Sequence, residues 1–187
     1  MGRLIFGAMV SLDGYIEDAD GKINWSAPEE GLHALANRQA EASAGFVMGR
    51  KLYEMMVPYW HDLLAAGEGE EVELEFARIW ASKPKYVASR TLTEVHESCE
   101  LIEGDAVGTI ARMKEEIDGD LDIGNADLAA ELEAADLIDV YRLMVLPVVL
   151  GAGKRYFRDG HPHRELELTS VDRFPGGSVA LEYTVKD

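Results

Sequence analysis

The sequence predicts an α/β fold: a mainly parallel mixed sheet with helices on both faces and an antiparallel hairpin at its C-terminal edge. Three observations predict it. Strand-length apolar runs alternate with helix-period segments over most of the chain. Several of those runs end in a glycine turn that leads directly into a helix. Near the C-terminus, two strand-like tracts flank Pro175-Gly176-Gly177, a hairpin signal.

The elements follow in order. The apolar run Leu4 to Val10 reads as a buried strand ended by the turn Asp13-Gly14, and Asp18 to Lys22 as a polar, glycine-bearing loop. Pro28-Glu29-Glu30 opens a helix through about Ala42, since proline suits a first turn and acids there complement the positive end of the dipole. Gly45 to Met48 is a short strand, and Gly49 begins a turn into the helix RKLYEMM. The acid- and glycine-rich tract from Pro58 to Glu75 reads as an exposed loop and a helix start. Tyr86 to Ser89 is the next strand, bracketed by Pro84 and by Arg90-Thr91. Thr109 to Ile117 carries helical periodicity, and Leu121 to Ile123 is a strand ending in Gly124-Asn125. Ala126 to Ala135 is an amphipathic helix with Leu128 and Leu132 on one face. Val140 to Val149 is a long strand closed by Gly151-Ala152-Gly153, and Glu165 to Ser170 and Val179 to Val185 form the final hairpin.

Length and composition set bounds on function. The 187 residues suit a single domain over 1–187, and no linker or internal repeat divides them. No apolar run approaches the roughly 20 residues of a membrane span. The opening MGRLIFGAMV lacks the long apolar core of a signal peptide, so a cytoplasmic protein is expected. Cys99 stands alone, which excludes an intrachain disulfide and a cysteine-based metal site. No metal is expected. With 35 acidic against 18 basic residues the formal net charge is −17, which disfavours nucleic-acid and anionic-membrane partners. An anionic ligand must then be held locally, by Arg, Lys or helix N-termini acting against the overall field.

Three turns offer such a hold. Met48-Gly49-Arg50-Lys51 joins a glycine that lets backbone approach a phosphate, a helix start with unpaired N–H groups, and two cations. A tight turn with two solvated basic residues accounts for the same pattern. Ile123-Gly124-Asn125-Ala126 lies between strand and helix and exposes amides in the same way, although it is neither the GxGxxG fingerprint nor a Walker A loop. Ser89-Arg90-Thr91 follows a strand, where hydroxyl and guanidinium suit a 2′-phosphate and also suit a plain strand cap. All three at carboxyl ends of strands point to a dinucleotide that carries an extra phosphate.

The stretches AMVSLDGYI (Ala8 to Ile16), Trp25…Pro28…Glu30, MGRKLYE (Met48 to Glu54), KPKYVASRTL (Lys83 to Leu92) and IGNADLAAELEAADLIDVYRLMVLPVVLGAGKRYF (Ile123 to Phe157) span nearly the whole chain. In that order they resemble the dihydrofolate-reductase-like superfamily. Within it they are similar to stand-alone proteins akin to the reductase domain of the bifunctional riboflavin-pathway deaminase-reductase. The resemblance implies a three-layer α/β/α fold, a mainly parallel sheet of about eight strands, and NADPH lying across it. It implies that Gly49, Arg50 and Lys51 take the adenine-side phosphates, Ser89, Arg90 and Thr91 the 2′-phosphate, and Gly124, Asn125 and Ala126 the pyrophosphate. Asn125 departs from the family's second glycine; asparagine tolerates left-handed backbone but adds a side chain, which predicts weaker cofactor binding.

The resemblance also gives the substrate side. Asp18 to Trp25 matches a loop that closes over nicotinamide, and Trp25 is a candidate substrate contact. Glu30 matches the carboxylate that grips a pterin and helps to protonate it, a role suited to a partly buried acid; a first-turn acid stabilising the helix dipole fits equally. Asp13 of SLDG is the rival catalytic or orienting group beside the substrate, or simply a turn-forming residue. The implied activity is NADPH-dependent reduction of a C=N or imine-like bond in a pterin- or pyrimidine-type small molecule, the alternative being an NADPH-binding protein without turnover, a sensor or scavenger. No H-x-E or PCxxC zinc signature of a deaminase is present. A homodimer is implied, with Leu143 to Leu150 as a contributor of apolar surface.

Overall fold

The first strand, β1 (Leu4–Ser11), is apolar along its length and buried on both faces, as a central strand must be. The computed structural model describes residues 2–186. After β1 come β2 (Tyr15–Glu17), α1 (Glu30–Ala42), β3 (Gly45–Gly49), α2 (Arg50–Ala66), α3 (Glu71–Ser82), β4 (Lys85–Ala88) and β5 (Glu100–Ile102). Then follow α4 (Ala106–Glu116), β6 (Leu121–Ile123), α5 (Ala126–Ala134), β7 (Val140–Leu146), β8 (Lys154–Arg155), β9 (Leu166–Arg173) and β10 (Val179–Val185). Eight strands form one sheet in the order β5-β4-β3-β6-β1-β7-β10-β9, and β2 pairs with β8 in a small ribbon. The first six are parallel, whereas β10 runs antiparallel to both β7 and β9. The mixed sheet and its antiparallel hairpin are those the sequence predicts.

Alternation along the strands divides the core between two helical layers. Leu4, Phe6 and Val10 of β1 pack with Ile110 of α4 and Leu128 and Leu132 of α5. The opposite face carries Met9 and Met144 against Leu32 and Leu35 of α1. Further along the sheet, Met48 and Val87 meet Val57 of α2 and Trp80 of α3. All parallel strands therefore end at one rim, where the turns into α2 and α5 lie.

Several expected boundaries are corrected. The helix after Gly49 does not stop near Pro58: α2 passes through it to Ala66 and fills most of the tract expected to be loop, while the expected helix start is α3, from Glu71. Proline removes only one helical bond, and Pro58 is exposed where water can serve the Glu54 carbonyl; Val57 and Trp60 meanwhile anchor the helix on Met48 and Phe76. Pro28 lies outside α1, whose N-cap is Glu29, and β7 ends at Leu146, before Pro147. The three-residue β5 and the β2–β8 ribbon gave no periodic signal long enough to read.

Candidate functional site

Two strand-to-helix turns meet at the rim. The Gly124 amide donates to the Val47 carbonyl at 2.9 Å, tying the end of β6 to the end of β3. A Cβ on Gly49 would meet the Asn125 amide group at 2.6 Å, and one on Gly124 would collide with Leu52. Both glycines thus mark close approach to neighbouring side chains rather than unusual backbone. Asn125 corrects an expectation as well: its φ of −142° and ψ of 122° are extended, so left-handed tolerance is not called upon. Its side chain instead accepts a bond from the Leu128 amide at 2.9 Å and caps α5. Ala126, buried, opens that helix. Among the described residues no side chain caps α2, which leaves the amides of its first turn, from Arg50 onward, without a side-chain acceptor.

The cations distribute themselves around this junction. Arg50 donates to the Thr91 hydroxyl at 3.1 Å and to Glu54 at 2.6 Å. The Ser89 hydroxyl accepts from the amides of Thr91 and Leu92 at 3.2 and 3.1 Å, so Arg50, Ser89 and Thr91 form one cluster. Arg90 leaves it: its guanidinium reaches across to Glu131 on α5 at 3.2 Å and is 82% exposed. Lys51 turns the other way, to Glu17 at 2.7 Å and the Gly21 carbonyl at 3.0 Å. Amides of two helix starts, with an arginine and two hydroxyls beside them, fit a diphosphate and a separate phosphate of one ligand.

Beyond β1 and β7 the rim is built by two distant motifs locked together. Asp13 accepts from the Leu150 amide at 3.1 Å and the Gly151 amide at 2.7 Å, and from the Ser11 hydroxyl at 2.7 Å. Partial desolvation pushes its carboxyl up, but the Ser11 hydroxyl and the two amides outweigh this and hold it at about 2. Tyr156 N–H donates to the Gly14 carbonyl at 2.9 Å, and Gly153, at φ +140°, leaves no room for a side chain against the Glu17 carbonyl. SLDG and LGAG are therefore halves of one structure.

Helix α1 begins beside the same rim. Glu29 accepts from the Gly176 amide at 2.6 Å and the Ser178 amide at 3.4 Å, fixing the β9–β10 turn, and Gly177 faces Pro147. Glu30 is exposed and has no hydrogen bond among the described residues. The partial burial expected of a proton-donating Glu30 is not found, because the first turn of α1 projects it outward. Trp25 is half-buried, with its indole N–H on the Lys22 carbonyl at 3.2 Å. Sequence reasoning missed Glu17, Asp127 and Lys154, which link the loop, α5 and β8; the only local signal was a lysine directly after LGAG. Among the described residues no group of His, Cys, Asp and Glu is arranged to hold a metal ion.

Comparison with known proteins agrees with this architecture. The model of the RibD C-terminal domain family matches residues 3–180. The uncharacterized protein YyaP of Bacillus subtilis (strain 168) is 29% identical over 184 residues, covering 97% of this chain and 94% of YyaP. A protein of Shewanella sp. PV-4 provisionally assigned to riboflavin biosynthesis superposes with a TM-score of 0.72 at 25% identity, over 100% of both chains. The Thermotoga maritima diaminohydroxyphosphoribosylaminopyrimidine deaminase/5-amino-6-(5-phosphoribosylamino)uracil reductase gives 0.72 at 16% identity, over 99% of this chain and 57% of that one. Enterococcus faecalis dihydrofolate reductase, complexed with NADP(H) and RAB-propyl, gives 0.68 at 15% identity over 100% and 98%, a likeness of fold.

Proposed function

The chain belongs to the RibD C-terminal domain family, and on that footing we propose that it is an NADPH-dependent reductase of a C=N or imine-like bond in a pyrimidine- or pterin-type small molecule. The contact between the two strand-to-helix turns, Gly49 against Asn125, with the Arg50–Thr91–Ser89 cluster beside it, carries the reading. When bound, NADPH supplies the hydride. The amides at Gly49 to Lys51 and at Gly124 to Ala126 would hold its diphosphate, and Arg50, Ser89 and Thr91 its 2′-phosphate. Trp25 and the rim around Asp13 would face the substrate.

The proton that must reach the substrate nitrogen needs a group free to exchange it. Three carboxylates lie in the SLDG turn and at the start of α1, the two places that the resemblance assigns to the substrate. Asp13 and Glu29 are engaged by backbone amides, which leaves Glu30 as the candidate acid and gives Asp13 an orienting role through the turn at Leu150–Gly151. The exposure of Glu30 also favours a second reading, NADPH binding without turnover; NADPH oxidation across a panel of pyrimidines and pterins separates the two.

The rest of the reading is that residues 1–187 act as one cytoplasmic domain, as a homodimer. No helix among the described residues is long and apolar enough to cross a membrane. For the dimer the support is a sheet face on which Leu143 and Val145 of β7 align with Leu181 and Val179 of β10, and Leu181 in turn with Val171 of β9, itself 52% exposed.

Calorimetric titration tests the cofactor. NADPH should bind more tightly than NADH, and Arg50→Ala should erode the preference about ten-fold or more, since each charge-assisted hydrogen bond contributes about 1.5–3 kcal/mol. Arg90→Ala, with its guanidinium on Glu131, should matter less. Equal dissociation constants for the two cofactors in the wild type would overturn the assignment.

A further inference from the structure

A line of charges crosses the junction of the two turns. Lys51, second in α2, donates to one Glu17 oxygen at 2.7 Å, and the other Glu17 oxygen is 3.9 Å from the Lys154 ammonium. Lys154 donates to Asp127, second in α5, at 2.7 Å, and Arg158 closes the line on the same carboxylate. The side chains of Glu17 and Lys154 are only 15% and 24% exposed, so their charges are less screened than those of the Arg90–Glu131 pair.

The backbone under this line is fixed. Glu17 pairs with Lys154 across the β2–β8 ribbon, and Gly153 lies directly against the Glu17 carbonyl. Lys154 is held at the first turn of α5 by its bond to Asp127, whereas among the described residues the Glu17 carboxylate is held by the two ammonium groups alone, the nearer at 2.7 Å and the other at 3.9 Å. An anion between two ammonium groups, one from the first turn of α2 and one bound to the first turn of α5, marks a place where a diphosphate would be held.

Resting on the cofactor reading above, we propose that Lys154 is a further phosphate-binding residue and that Glu17 is the internal anion with which the ligand's diphosphate exchanges. The exchange moves Glu17 off both lysines and draws Lys51 from the Gly21 carbonyl. Residues 18–22 then lose their side-chain tie to α2, so filling the phosphate site loosens the loop that leads to Trp25. Lys154 and Glu17 have opposite effects on affinity although they touch each other.

Binding of inorganic pyrophosphate and of NADPH is measured for the wild type, Glu17→Gln, Lys154→Met and Lys154→Arg, with thermal melts showing that each is folded. At low salt Glu17→Gln should bind both ligands several-fold more tightly, and Lys154→Met about ten-fold more weakly, with Lys154→Arg close to wild type. Hydrogen exchange at residues 18–22 should rise on ligand addition in the wild type and start high in Glu17→Gln. If NADPH binds the wild type but Lys154→Met binds it equally well, or Glu17→Gln no tighter, this inference falls and the cofactor reading stands. Pyrophosphate binding that depends on Lys154 without any NADPH binding would keep Lys154 as a phosphate ligand and remove the cofactor reading. Binding of neither ligand by any variant removes both.

Discussion

At the rim, Asp13 and Glu30 divide what one carboxylate was expected to do. Asp13 is tied by two amides and a hydroxyl, so its ionised form belongs to the fold. Its carboxyl sits below the usual carboxylate range, at about 2, so the stability it contributes is complete above about pH 4 and is lost as pH falls through 2. Asp13→Asn should therefore melt below the wild type at neutral pH, with the gap closing as the pH is taken down to 2; a gap independent of pH would disprove this. Glu30→Gln should leave the melting temperature where it is, because an exposed side chain without partners carries little stability. On an identified substrate it should lower turnover about 10²-fold or more with NADPH affinity unchanged. Turnover within a few-fold of wild type would take Glu30 out of the chemistry. Individual side chains were the least legible part of the sequence. SLDG and LGAG each read as turns, but the bond between them joins residues 137 or more apart. Arg90 reads as a partner of Ser89, and only the placement of α5 shows that Glu131 draws it away.

The helices and strands were more legible, and where the reading failed the cause is tertiary. β1, β6, α5 and β10 carry their own periodicity and turn signals, and they stand close to where these predict. The helix through Pro58 could not be read locally, since the packing of Val57 and Trp60 on distant aromatic and aliphatic side chains overrides the proline. The junction of β3–α2 with β6–α5 gives a test at this scale. Gly49→Ala forces a methyl group into the Asn125 amide and should cost about 1–3 kcal/mol, the usual range for overpacking. Asn125→Gly loses the cap of α5 at a cost of only a few tenths of a kcal/mol. Chemical denaturation of the double variant should show it more stable than the sum of the two changes predicts, because the glycine makes room for the methyl group. Additive losses would mean that the two turns do not touch.

For the molecule as a whole, charge and topology each have a consequence. A net charge of −17 on 187 residues opposes compaction, and the repulsion is screened over about 10 Å at 0.1 M salt and about 3 Å at 1 M. The melting temperature should rise with sodium chloride in scanning calorimetry, and a flat or falling trend would refute it. Topology acts earlier, during synthesis. β1 is made before its neighbours in the sheet, β6 and β7: Leu4 to Phe6 pair with β6, and Ile5 to Ser11 with Val140 to Leu146. At roughly 5–20 residues per second, a ribosome needs about ten seconds or more to deliver that partner. Until then Gly7 to Val10 lack a strand partner, and the Asp13 lock cannot close before Gly151 emerges. Truncations ending before β7 should therefore aggregate rather than fold, as light scattering of the expressed fragments would show.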